Sequence, residues 1–74
     1  MTADQVREAM HTQPFRPFQV RLADGRSFHV KHPDFVAVSY RGRGLTLNDE
    51  EGVHLIDMRL VAELVIPEPE TSSH

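Results

Sequence analysis

The chain has 74 residues, a net charge of −3 at pH 7 and no cysteine, and hydrophobic residues make up 39% of it. This length suits one small domain with a marginal core, and the lack of cysteine excludes disulfides and cysteine-bound zinc as supports for that core. No apolar run approaches the roughly 18 residues of a membrane helix, and the first residues lack the apolar segment of a signal peptide, so we predict a cytoplasmic protein without membrane contact that gains stability from a partner chain.

The charges are unevenly distributed along the chain. Residues 11–48 carry six bases and two acids, which gives +4, whereas residues 49–74 carry one base and seven acids, which gives −6. Such asymmetry is found in nucleic-acid-binding faces and in head-to-tail contacts, and it also arises when neighbouring strands interleave opposite charges. We favour interleaving, because no basic cluster stands among aromatic residues.

The first predicted element is a short helix. Thr2 and Gln5 have the spacing of a capping box, in which two side chains satisfy the free N–H groups of the first turn. Pro14 disfavours helical backbone in the residue before it, so the helix ends near His11 or Thr12. A helix of this length is marginal in water and must pack against the rest of the domain.

Two strands with period-2 alternation follow and form a hairpin. A two-residue turn would place apolar residues of one strand opposite polar residues of the other. A three-residue loop at residues 23–25 instead pairs Val20 with Phe28 and Phe18 with Val30, so the apolar faces agree. The glycine of this loop then takes the left-handed position of a G1 bulge.

The third predicted strand runs from Val36 to Tyr40 and leads into an RGRG turn. A four-residue loop places Tyr40 opposite Leu45 on the following strand. The next turn, at residues 50–52, resembles the first hairpin loop because it again has three residues and ends in glycine. It places Leu47 opposite Leu55 and begins a strand over residues 53–58.

The last predicted strand covers residues 60–66. Val61 and Val65 lie on one of its faces and four further apolar residues lie on the other, so we predict that it is covered on both sides. Residues 67–74 are rich in proline, glutamate and serine and are predicted to be a disordered tail. Residues 1–66 therefore form one domain, which we predict to be mainly β: a short N-terminal helix and a five- to six-stranded, strongly bent antiparallel sheet or small barrel.

Three segments carry a resemblance to a group of small uncharacterised bacterial proteins: QPFRPFQVRLADGRSFHVKHPDF, the GRG turn and HLIDMRLVAEL. The shared pattern is PFxPF, LADGR, HPxF and a later ID before an apolar strand. It covers nearly the whole chain except the tail, and it implies no particular activity.

The order of elements also resembles Sm-like proteins, including the bacterial RNA-chaperone host factor, which have an SH3-like bent sheet and form rings through edge strands. VRLADGR is similar to their first strand and turn, with Gly25 at the turn glycine. The chain departs from their pattern at Val30, where they keep a glycine, and at Arg59-Leu60, where they have Arg-Gly. DMRLVAEL offers no counterpart of the host factor's RNA-binding Lys-His pair. The resemblance thus implies SH3-like or Sm-like topology more strongly than it implies RNA binding.

Four residues are candidate metal ligands: His29, His32, Asp34 and His54. Residues three apart in a strand point to opposite faces, which separates the first two histidines. The acidic residues 49–51 are typical of a solvated turn. We therefore predict no metal ion and no cofactor, and leave open whether the bend at Pro33 brings His32 and Asp34 beside a third ligand from another strand or another subunit.

Catalysis is not predicted. The ordered serines, Ser27 and Ser39, do not stand in a nucleophile-elbow pattern, and RGRG joins two strands rather than leading into a helix as a phosphate loop does. We predict a non-enzymatic interaction module that assembles with itself through edge strands, or with another protein, using Val61 and Val65 as an interface.

The alternative is an Sm-like RNA-binding protein, with no DNA binding expected. Arginines on a loop tip can contact phosphates, and an aromatic ring can stack on a base. The residues available for these nucleic-acid or partner contacts are Arg21, Lys31, Tyr40, Arg41 and Arg43.

Overall fold

The structure is a computed structural model, and it describes residues 2–68 of the chain. Its elements, in chain order, are α1 (Ala3–His11), β1 (Phe18–Leu22), β2 (Ser27–Val30), β3 (Val36–Val38), β4 (Gly44–Asp49), β5 (Gly52–Asp57) and β6 (Val61–Val65). Single-turn 3-10 helices, Pro33–Phe35 and Met58–Leu60, precede β3 and β6. Of the tail that we predict to be disordered, residues 69–74 lie outside the described part.

The N-terminal helix begins and ends as predicted. The Thr2 side chain accepts a hydrogen bond from the Gln5 N–H, and the Gln5 side chain accepts one from the Thr2 N–H at 3.1 Å, which completes the capping box. At the other end the Thr12 hydroxyl donates to the Glu8 carbonyl at 2.8 Å. Val6 is buried against the sheets, and this packing stabilises a helix too short to persist alone.

The strands form two three-stranded antiparallel sheets, in the orders β2-β1-β6 and β3-β4-β5. The fold is mainly β, as predicted, but the prediction of one five- to six-stranded sheet or a closed barrel is wrong. The chain passes between the sheets through the 3-10 turns Pro33–Phe35 and Met58–Leu60. Pro33 has no N–H to donate. The Met58–Leu60 turn divides its backbone bonds between the sheets, because the Met58 N–H donates to the Arg43 carbonyl and the Leu60 carbonyl accepts from the Ala23 N–H, each at 2.8 Å.

One apolar core joins the helix and both sheets. It contains no buried polar or charged residue among those described. Its members are Val6, Ala9, Phe18, Val20, Leu22, Val30, Val36, Leu45, Leu47, Ile56, Met58 and Val61. Because a single cluster supports both sheets, we infer that neither sheet is stable without the other.

The first hairpin has the predicted register, with Phe18 opposite Val30 and Val20 opposite Phe28. Gly25 has φ +96°, a conformation that side-chain-bearing residues rarely adopt. The Asp24 carboxylate accepts a hydrogen bond from the Arg26 N–H at 3.1 Å, which closes the loop.

The loop between β3 and β4 is longer than predicted. Val38, not Tyr40, lies opposite Leu45, and β3 ends at Val38. The Ser39 N–H donates to the Gly44 carbonyl at 3.0 Å, and the Ser39 hydroxyl accepts hydrogen bonds from the N–H groups of Arg43 and Gly44 at 3.1 and 3.0 Å, so the loop closes on Ser39. Since the shift is two residues, the inward faces of the strands stay as predicted.

The turn between β4 and β5 is shorter than predicted and changes which side chains face the core. It has two residues, 50 and 51, so Leu47 lies opposite His54 rather than Leu55. A shift of one residue moves every side chain of a strand to the other face. Consequently Ile56 is buried, with 6% of its surface exposed, whereas Leu55 is 81% exposed on the outer face.

The last strand is interrupted by a bulge. Leu22 lies opposite Val61 while the adjacent Arg21 lies opposite Glu63, which leaves Ala62 as the extra residue. The simple alternation predicted for this strand is therefore wrong. Val61 is buried in the core, whereas Val65 is half-buried.

Candidate functional site

The tip of the β4–β5 hairpin brings three ionisable side chains together. His54 Nε2 lies 2.9 Å from Asp49 Oδ1 and 3.7 Å from Glu51 Oε1. One ligand atom from each of the three side chains lies within 4.8 Å of the other two. We call Asp49, Glu51 and His54 the hairpin-tip cluster.

The two-residue turn creates this cluster. Asp49 pairs with Gly52, and Leu47 pairs with His54, so Asp49 and His54 are diagonal neighbours on the inward face. The Glu51 N–H donates a hydrogen bond to Asp49 Oδ1 at 2.8 Å. Gly52 adopts φ +132°, which permits the tight reversal.

The imidazole of His54 also packs against an aromatic ring. The Phe28 ring on the first sheet lies 4.7 Å away, measured between ring centroids. The His54 side chain is 22% exposed. Its hydrogen bond holds the pKa of the Asp49 carboxyl below the usual range.

An open cleft of about 580 Å³ lies beside the cluster. One wall comes from β2 and the residues after it, and the other comes from the end of β4 and its turn. Its lining residues are Ser27, Phe28, His29, Lys31, Phe35, Asn48, Asp49 and Glu50. The two phenylalanines make part of the lining apolar, and the charged residues place both signs of charge at its rim.

A second feature is an apolar patch on the outer face of β5. Val53 is 62% exposed and Leu55 is 81% exposed. Leu55 lies opposite Thr46, and Val53 lies opposite Asn48. We call Val53 and Leu55, together with the free edge of their strand, the β5 edge patch.

The backbone of β5 is unpaired along this edge. Among the described strands β5 pairs with β4 alone. Because residues 49 and 52 close a two-residue turn, the even-numbered residues of β5 bond to β4 and the odd-numbered ones point away. The Met58 N–H, which donates to the Arg43 carbonyl at 2.8 Å, continues that pattern. The N–H and C=O groups of Val53 and Leu55 are thus free to pair with another strand.

The residues that we predict to contact nucleic acid or a partner lie in three different segments. Tyr40, Arg41 and Arg43 are exposed in the loop before β4, Lys31 follows β2, and Arg21 lies on β1. Arg21 forms an ion pair with Glu63 on the neighbouring β6, 3.2 Å away. This pair joins the basic and acidic halves of the chain, as the interleaving interpretation predicts.

The predicted oligomer interface is only partly accessible. Val61 belongs to the core of its own chain, while Val65 is half-buried opposite Gln19 on β1. The large apolar residues most exposed on the strands, Val53 and Leu55, are absent from the predicted interface, because the expected register turns Leu55 inward. The pairing of Asp49 with Gly52 across a two-residue turn is the observation that places Leu55 on the outer face.

Among residues 2–68 of one chain, the bend at Pro33 brings no third ligand to His32 and Asp34. His32 Nδ1 accepts a hydrogen bond from the Asp34 N–H at 3.2 Å and lies 3.6 Å from Asp34 Oδ2. His32 thereby caps the 3-10 turn. Within residues 2–68 the hairpin-tip cluster alone gathers three groups with metal-ligand spacing.

Comparisons of the chain with protein-family models, with curated proteins and with solved structures found no match. None of the helices in the described part of the chain is long and apolar enough to cross a membrane. Function is therefore inferred from the hairpin-tip cluster, the cleft and the β5 edge patch.

Proposed function

We propose that this protein is a small, non-enzymatic interaction module that associates with itself through the β5 edge patch. The observation that carries the proposal is the coincidence of exposed apolar side chains, Val53 and Leu55, with an unpaired strand edge. Edge pairing satisfies the free backbone groups, and burial of apolar surface contributes roughly 25 cal/mol per Å².

The sequence of the edge favours a second copy as the partner. Residues 52–57 contain no lysine or proline, the residues that commonly protect an exposed edge. Two antiparallel copies of β5 related by a twofold axis pair odd-numbered residues with odd-numbered residues. Placing Leu55 opposite its copy brings the two Val53–Leu55 pairs onto one face and extends the sheet from three strands to six.

The small size of the domain also favours self-association. A chain of 74 residues without cysteine builds a marginal core. Association that buries the β5 edge patch would add apolar burial and ladder hydrogen bonds that one copy cannot supply alone. Self-association thus supplies the partner chain that the composition predicts.

The test is the mass of the full chain in solution across a concentration series, measured by light scattering or sedimentation. We expect the wild-type mass to rise above the 8.4 kDa of one copy as the concentration increases. The Leu55→Lys variant should stay at the mass of one copy, because edge pairing would have to desolvate the new charge. Ile66→Lys is the matched control, since Ile66 is an exposed apolar residue outside the strands. A wild-type chain that stays at one copy at millimolar concentration would refute the proposal, as would equal association of the wild type and Leu55→Lys.

RNA binding is the second candidate function, and the loop before β4 supports it. Tyr40 is 96% exposed and stands next to exposed Arg41, with Arg43 two residues further on. One aromatic ring and two guanidinium groups suit base stacking and phosphate contact. The strand orders β2-β1-β6 and β3-β4-β5, which follow one N-terminal helix, also support an SH3-like or Sm-like topology in which the two sheets do not close into a barrel.

A titration with single-stranded RNA at two salt concentrations tests this candidate. Binding at low salt that weakens steeply with added salt and is reduced in Tyr40→Ala supports it. No binding at low salt excludes it.

A further inference from the structure

We propose that the tip of the β4–β5 hairpin binds a divalent transition-metal ion, best matched by Zn²⁺, through Asp49, Glu51 and His54. The proposal rests on the convergence of one imidazole nitrogen and two carboxylates at the β4–β5 turn, with their ligand atoms within 4.8 Å of one another. It is independent of self-association, because the β5 edge patch lies on the opposite face of the same strand.

The distances between the donor atoms suit the ion. Zinc lies about 2.0–2.2 Å from histidine nitrogen and carboxylate oxygen, so two donors of a tetrahedral site are about 3.4 Å apart. The observed separations from His54 Nε2 are 2.9 Å to Asp49 and 3.7 Å to Glu51. Shifts of a few tenths of an ångström would bring each carboxylate to ligand distance from His54, and the two carboxylate oxygens lie within 4.8 Å of each other.

Two of the ligands are already oriented by the fold. Asp49 and His54 are held by the β4–β5 ladder, the Glu51 N–H fixes one Asp49 oxygen, and Phe28 packs against the imidazole. Contacts that orient a ligand side chain before the metal binds reduce the side-chain entropy lost on binding. Hydrogen bonds and packing around metal-ligating residues have this role in known metal sites. Glu51 is exposed in the turn and supplies the third donor by a side-chain rotation.

The cluster differs from the other surface ion pairs, including His32–Asp34, because two carboxylates share one imidazole. Four other acids in the described part of the chain pair with an arginine: Asp4, Asp24, Asp57 and Glu63. Asp49 and Glu51 pair only with His54, and Glu50 adds a carboxylate in the same turn. The Asp49 and Glu51 ligand atoms lie within 4.8 Å of each other, and a divalent ion bound between them would reduce the repulsion of the two carboxylates.

The donor set selects among metal ions. Calcium takes six to eight oxygen ligands, which three side chains with one nitrogen do not supply. Imidazole with carboxylates suits zinc and its neighbours in the first transition series. Three protein ligands leave at least one coordination position for water, and the cleft lined by Asn48 and Asp49 gives solvent access on that side.

Calorimetric titration of ZnCl₂ into the full chain at pH 7.5 tests the proposal. We expect one saturable site, with affinity at least tenfold weaker in His54→Gln and in Glu51→Gln. Glu51→Gln guards against a folding defect, because the Glu51 side chain is exposed and forms an ion pair only with His54. His29→Gln is the matched control and should bind as the wild type does, since His29 lies across the cleft outside the cluster.

Two results would overturn the proposal: absence of saturable binding, or equal binding by the wild type, His54→Gln and Glu51→Gln. Loss of binding in His29→Gln with retention in His54→Gln would place the ion elsewhere and also overturn it. Running the titration on Leu55→Lys keeps the two proposals apart. We expect that variant to bind zinc as the wild type does while it stays a single copy.

Discussion

Two neighbouring substitutions, Ile56→Ala and Leu55→Ala, measure which face of β5 is in the core. Ile56 is 6% exposed and Leu55 is 81% exposed. Removing the buried side chain loses its burial and leaves a cavity, which costs about 2–5 kcal/mol for Ile→Ala. Removing the exposed one should change the free energy of unfolding by less than about 0.5 kcal/mol.

The small free energy of unfolding expected for a domain of this size decides which substitutions can be measured. At roughly 0.05–0.15 kcal/mol per residue, a chain of this length has a free energy of unfolding of about 4–11 kcal/mol. Ile56→Ala would then remove a large part of the total. Ile56→Val is the milder companion, with an expected cost of about 0.5–1.5 kcal/mol.

Urea unfolding followed by far-UV circular dichroism gives the three free energies. The protein concentration must be low enough for single copies, because Leu55 also lies in the proposed contact. If Leu55→Ala costs as much as Ile56→Ala, Leu55 faces the core, the three-residue turn is right, and the hairpin-tip cluster does not form.

Three further predictions concern single contacts. Gly42→Ala should destabilise the fold by about 1–3 kcal/mol in urea unfolding, because Gly42 has φ +75° and an added Cβ would lie 2.9 Å from the Ala3 Cβ; an unchanged midpoint would contradict this loop. Thr2→Ala should cost about 0.5–2 kcal/mol through the lost cap, with Thr2→Ser nearly neutral, measured by thermal unfolding. The Arg59 guanidinium lowers the pKa of the Asp57 carboxyl to about 2, so its stabilisation is full above about pH 4 and is lost as pH falls towards 2. Asp57→Asn should flatten that part of the pH–stability curve, and identical curves would contradict the pairing.

The helix and the first hairpin could be predicted because their signals are local. The capping box needs only Thr2 and Gln5, and both ends of the helix are marked within a few residues. In the first hairpin only the three-residue loop brings Val20 opposite Phe28, so agreement of the apolar faces decides the register.

The hairpin-tip cluster could not be predicted, because β5 carries apolar residues on both faces. Val53 and Leu55 share one face, and Ile56 shares the other with His54. Apolar alternation therefore fits either turn length. The contacts that favour the shorter turn are the Phe28 ring over the imidazole and the hydrogen bonds to Asp49. The Phe28 ring belongs to the other sheet, and the alternation of residues within a strand does not reveal contacts between sheets.

The division of the strands between the sheets also orders their formation during folding. The β3–β5 sheet is a continuous meander over residues 36–57, whereas the first sheet needs β6 to reach β1 about 40 residues earlier in the chain. Closing that long loop carries the larger entropy loss. The meander should therefore form first and β6 should dock last, so substitutions in β4 would slow folding while those at the β1–β6 contact, such as Arg21 with Glu63, would mainly speed unfolding.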